Sequence, residues 1–82
     1  MAERAIEVST YSGYRGDECP RAFILDEKRV EVRMVVAQWI EEDAATRVRR
    51  RCFRVKGDDL RTHTLRYLED AGLWLHEEKA NG

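Results

Sequence analysis

Apolar and polar residues alternate through much of this chain. Ile6 and Val8 alternate with Glu7 and Ser9, and Val30, Val32 and Met34 alternate with Glu31 and Arg33. A two-residue period puts one set on each face of a strand. After Met34 the pattern slips at Val35-Val36, where a bulge would keep Val35, Ala37 and Trp39 on the inner face. Further on, Phe53 and Val55 share a face with Arg49 and Arg51, and Leu65 and Tyr67 share one with His63. Leu73 and Leu75 alternate with Trp74 and His76.

Turn residues separate these runs. Gly13, Gly16-Asp17 and Pro20 follow the first, and Asp26-Glu27 divides residues 22–25 from 29–36. Residues 42–45, Gly57-Asp58-Asp59 and residues 69–72 mark three later breaks. Short runs at this spacing predict an antiparallel meander, closed into a small barrel or strongly bent, with about five or six strands. A mixed α+β reading competes. Val32, Val35, Val36, Trp39 and Ile40 fall at helical spacing, and a helix over residues 62–71 would stop at Gly72. The mostly β reading is preferred.

With 82 residues the chain reads as a single domain, 1–82, with its core over about residues 5–77 and a frayed tail at 79–82. Hydrophobic residues at 43% suffice for a small core, while 38% charged residues predict a heavily ionised surface. So small a core favours a binding surface over a deep active site. Residues 1–9 lack the apolar run of an export signal and no stretch is long enough to span a membrane, so the expected setting is cytoplasmic. Cys19 and Cys52 then read as free thiols. Neither they nor His63 and His76 fall at metal-ligand spacing, so no metal or other cofactor is expected.

Charge changes the picture. The net charge is −1, but residues 46–66 carry eight basic and two acidic groups, a local +6. Residues 1–45 stand at −4 and residues 67–82 at −3. Within residues 47–56, Arg47, Arg49, Arg50, Arg51, Arg54 and Lys56 are interleaved with Val48, Cys52, Phe53 and Val55. Such a strand can meet phosphates and stack bases, or pair its charges with acids of neighbouring strands. Alternation sends Phe53 and Val55 inward, which leaves Arg50, Arg54 and Arg66 as the expected exposed set. Tyr14 and Arg15 sit in a loop with two glycines that matches neither a Walker nor a dinucleotide-binding pattern. Trp39 and Phe53 read as core, and Trp74 as a possible stacking surface. Catalysis has one candidate, a Cys52–His63 pair with a thiol of lowered pKa, available only if those strands are neighbours.

The order Tyr11-Ser12-Gly13-Tyr14-Arg15-Gly16-Asp17-Glu18, Pro20-Arg21, Val30-Glu31-Val32, Trp39, residues 51–55, residues 64–67 and Trp74-Leu75 resembles a small bacterial β-domain of unknown function. That domain occurs alone and near the C-terminus of some proteins similar to Y-family DNA polymerases. The resemblance implies a β fold and a tie to DNA repair, and it supplies no catalytic residues. The expected function is a non-enzymatic binding module, first a protein-interaction or accessory domain. The alternative is a domain that binds single-stranded nucleic acid through Arg15, Arg47, Arg49, Arg50, Arg51, Arg54 and Arg66, with Tyr14 and Trp74 stacking. Neither reading involves a membrane, and both leave the oligomeric state open.

Overall fold

The computed structural model describes residues 2–10 and 19–78. Six strands follow one another: β1 (Ala2–Thr10), β2 (Pro20–Leu25), β3 (Lys28–Glu42), β4 (Arg49–Gly57), β5 (Thr62–Leu68) and β6 (Leu73–Glu78). Each pairs antiparallel with the next, and β1 pairs with β6, which closes a barrel. The mostly β expectation holds. No helix forms among the described residues, including 62–71, which make β5 and the turn after it. Among the described residues no helix is long and apolar enough to cross a membrane.

Two strands are shared between the two halves of the barrel. β1 gives residues 7–10 to β2 and residues 2–6 to β6. β3 gives residues 28–31 to β2, while 32–42 pair with β4. The core between them is Phe23, Val30, Phe53, Val55, Leu65 and Trp74, flanked by Ile6, Val8, Leu25, Val32, Val35 and Tyr67. Phe53 and Val55 point inward as alternation predicts. Trp74 does too, with its ring 5.6 Å from Phe53 and 4.8 Å from Tyr67. Leu73 and Leu75 therefore take the outer face of β6, and Trp74 offers no stacking surface.

The irregular part of β3 has a simple cause. Its register against β4 shifts twice, once between Val32 and Met34 and again between Val35 and Ala37. Each extra residue advances the inside–outside phase by one. Met34 therefore turns outward and is 57% exposed, Val35 returns to the core, and Ala37 and Trp39 turn outward opposite Arg54 and Cys52. Two phase slips in five residues also produce the helix-like spacing of the apolar residues from Val32 to Ile40. The single bulge expected from the sequence placed Met34, Ala37 and Trp39 inside. The second bulge corrects all three.

Turn chemistry fixes the ends of the strands. Asp26 and Glu27 both have positive φ (52° and 65°) and join Leu25 to Lys28 in a two-residue hairpin, the conformation whose twist matches the strands. Asp59 Oδ1 accepts a hydrogen bond from Arg61 N–H across the β4–β5 turn. Gly57 is required there, because a Cβ would lie 2.5 Å from Val30 Cγ1.

Candidate functional site

The basic strand lies in the middle of the sheet, with β3 on one side and β5 on the other. Register rows place Trp39, Cys52, Arg66 and Leu75 side by side on the outer face, with Glu41 and Arg50 in the next row. Arg66 is the hub. Its Nε donates to Glu41 Oε1 at 3.1 Å, and its Nη1 donates to Glu77 Oε1 at 2.6 Å and to Glu3 Oε2 at 3.2 Å. Its side chain is only 13% exposed. Burial works against its charge, but hydrogen bonds to Glu41 and Glu77 outweigh that and push its pKa up. In return the Arg66 hydrogen bond, seconded by Trp39 Nε1–H, holds the Glu41 carboxyl below its usual range.

The neighbouring arginines are engaged as well. Arg50 lies 3.6 Å from Glu3, and Arg51 forms an ion pair with Glu69 at 2.6 Å. Arg54 is exposed and lies over the Trp39 ring, 5.3 Å from its centroid. Arg47 and Arg49 are exposed and have no ion-pair partner among the described residues. The expected exposed set of Arg50, Arg54 and Arg66 is thus correct for Arg54 only. Arg66 sits on the outer face as alternation predicts, but three carboxylates from β1, β3 and β6 close over it. Tyr14, Arg15 and the 79–82 tail lie outside the described residues.

Cys52 is fully buried beneath this outer layer. Burial, then the nearby Glu41 charge, push its thiol up to about 11, the opposite of an activated nucleophile. It faces Arg66 across β5, while His63 faces Val55 from the inner side, so no Cys52–His63 pair forms. Cys19 and Cys52 are both free thiols. At one end of the barrel Cys19, Gln38, Trp39, Ile40, Arg51, Cys52 and Phe53 line a cleft of ≈ 630 Å³ beside β3.

A second polar cluster lies inside the barrel. Leu65 of β5 pairs with His76 of β6, and this register brings His63 and His76 together although they stand far apart in sequence. His63 Nδ1 is 2.9 Å from His76 Nε2. At the outer ends, His63 Nε2 is 2.9 Å from Asp59 Oδ2 and His76 Nδ1 is 2.5 Å from Glu78 Oε2. Burial pushes the Asp59 carboxyl up, but hydrogen bonds from Arg61 N–H and His63 leave it below its usual range. Phe23 meets the His63 ring edge-on at 4.9 Å. The sequence did carry a signal for this cluster. His63 shares a face with Leu65 and His76 with Trp74, so two titratable rings had to enter a core that needs partners for them.

Among the described residues no group of three or more His, Cys, Asp or Glu side chains is arranged to hold a metal ion. No family model, curated protein or solved structure matches this chain.

Proposed function

We propose that this domain is a non-enzymatic protein-interaction module acting in the cytoplasm. The observation that carries the reading is the acid pairing at the centre of the basic surface: Arg50 and Arg51 of β4 and Arg66 of β5 each meet a carboxylate of the same chain. Phosphate binding draws its free energy from cations that release counterions on contact, and these three guanidiniums already have anionic partners.

The surface best suited to a partner is the edge of β3. Among the described residues, 32–42 pair on one side only, with β4. Val36 and Ile40 are 53% and 56% exposed along it, and the cleft beside Gln38 and Ile40 offers room for a partner's side chain. An extended segment of another protein can add there as a further strand, with its backbone giving affinity and the cleft giving selectivity. The resemblance read from the sequence, to a module carried by polymerase-like proteins, would suit a domain that brings a partner to DNA-repair machinery. One observation favours the nucleic-acid alternative, namely that Arg47 and Arg49 stand exposed at the start of β4.

Affinity capture from an extract of the protein's own cells separates the two. The wild type is expected to retain a protein after nuclease treatment, and the double variant Val36→Lys, Ile40→Lys to lose it with an unchanged melting temperature. Lysines on an edge block strand addition without entering the core. Equal capture by both proteins would remove the edge from the proposal. Capture that disappears with nuclease would replace it with the nucleic-acid alternative.

A further inference from the structure

The buried histidines lead beyond the interaction reading and do not rest on it. We propose that Asp59, His63, His76 and Glu78 form a proton-binding site that holds three protons, with one of them between the two rings. Each ring is bound at both nitrogens, which gives three contacts in a row: Asp59 to His63, His63 to His76, and His76 to Glu78. A contact between two lone pairs is repulsive, so each needs one proton. Two neutral imidazoles beside two ionised carboxylates supply only two. Any distribution of two protons leaves one contact with lone pairs facing each other at 2.9 Å or less. Three protons satisfy all three contacts, whether the third makes one ring an imidazolium or sits on a carboxyl group. A fourth that makes both rings imidazolium would set one N–H against another and break the row.

Its surroundings keep the site from relaxing. On the β2 side the Phe23 ring packs against both imidazoles, at 4.9 and 6.0 Å. From β1, Arg4 donates to Glu78 at 2.9 Å and to Asp26, in the β2–β3 turn, at 2.6 Å. Asp26 in turn lies near His76 and Lys28. From β4, Val55 stands opposite His63, and in the turn after it Asp59 is held by Arg61 N–H. Thr62, Thr64 and Glu77 complete the rim of a small cleft of ≈ 270 Å³ over the rings. The bound proton therefore ties the β4–β5 turn to the end of β6 and, through Arg4, to β1 and the β2–β3 turn. It is a latch across the seam where the barrel closes, and pH sets whether it holds.

The sign follows from proton number. At and above neutral pH an unfolded chain holds neutral imidazoles, while the folded chain keeps one extra proton. Rising pH must then favour the unfolded state. On the acid side a second imidazolium breaks the row, and Asp59, held below its usual range when folded, loses its contribution as pH falls through its folded value.

Nitrogen NMR of histidine-labelled wild type at neutral pH tests the site directly. A proton is expected between His63 Nδ1 and His76 Nε2, seen as a scalar coupling between these nitrogens. Two unprotonated nitrogens would overturn the proposal. Denaturation from neutral to alkaline pH is the second measurement. The wild-type folding constant is expected to fall about tenfold per pH unit, the slope for one proton, relative to His76→Gln, whose amide can both donate and accept. Parallel wild-type and variant curves would also overturn it. If His76→Gln fails to fold, the wild-type coupling decides alone.

Discussion

Arg66→Glu is expected to unfold this domain. The substitution removes the cation that Glu3, Glu41 and Glu77 converge on and puts a fourth carboxylate among them. Breaking a buried ion pair by deleting one partner costs about 3–5 kcal/mol, and the added like charge makes this worse. A domain of this size has a total stability on the order of 5 kcal/mol. Two companions separate charge from packing. Arg66→Met keeps the stem over Cys52 without adding a charge and is expected to fall between the wild type and the reversal. Arg54→Glu, on an exposed side chain of the neighbouring strand β4, is expected to stay within about 0.5 kcal/mol. Thermal denaturation of the three variants checks the order. A wild-type melting temperature for Arg66→Glu would mean that Arg66 is a free surface cation and that the acid cluster does not hold it.

Phe23→Ala is expected to be nearly as damaging. Phe23 is 1% exposed, belongs to the core cluster and packs against both histidine rings. Truncating a buried phenylalanine typically costs about 3–5 kcal/mol through lost burial and the cavity left behind. Here the cavity would also open onto the polar row from Asp59 to Glu78 and admit water to it. Urea denaturation is expected to find a mostly unfolded variant even without denaturant. Phe23→Leu, which keeps most of the volume, is expected to remain folded with reduced stability. If Phe23→Ala retains more than half of the wild-type free energy, the inner end of β2 is not part of the cooperative core.

The fold was legible in the sequence where a strand kept strict alternation. Val30 and Val32, Phe53 and Val55, and Leu65 beside His63 all lie on the predicted side. The turns at Asp26-Glu27 and Gly57-Asp58-Asp59 were legible because Gly and acidic residues interrupt the apolar alternation there. The outer half of β3 was not. A bulge has no residue signature of its own, and missing the one at Arg33 misplaced Met34, Ala37 and Trp39 together. The arginines illustrate a different limit. Alternation gives the face of Arg66, but its neighbours on that face are set by the pairing of β1 with β6 and of β3 with β4. Glu3 and Glu77 are more than sixty and about ten residues from Arg66 in the chain, and only closure of the barrel brings both within reach. The His63–His76 contact has the same origin, since it depends on the register of β5 against β6.

The pairing of Arg50, Arg51 and Arg66 with acids is the claim on which the functional reading stands, and fluorescence anisotropy with short labelled single-stranded DNA tests it most directly. The titration is run from low to physiological salt, with Arg47→Glu, Arg49→Glu as the comparison. Free arginines bind phosphates with an affinity that falls steeply as salt rises, because each contact releases a condensed counterion. The expected result is no saturable binding at physiological salt and at most a weak signal at low salt, removed by the Arg47 and Arg49 reversals. Tight binding with a steep salt slope that survives those reversals would mean that Arg50, Arg51 and Arg66 leave their carboxylates to join the exposed Arg54 on phosphates. That result would contradict the protein-interaction reading.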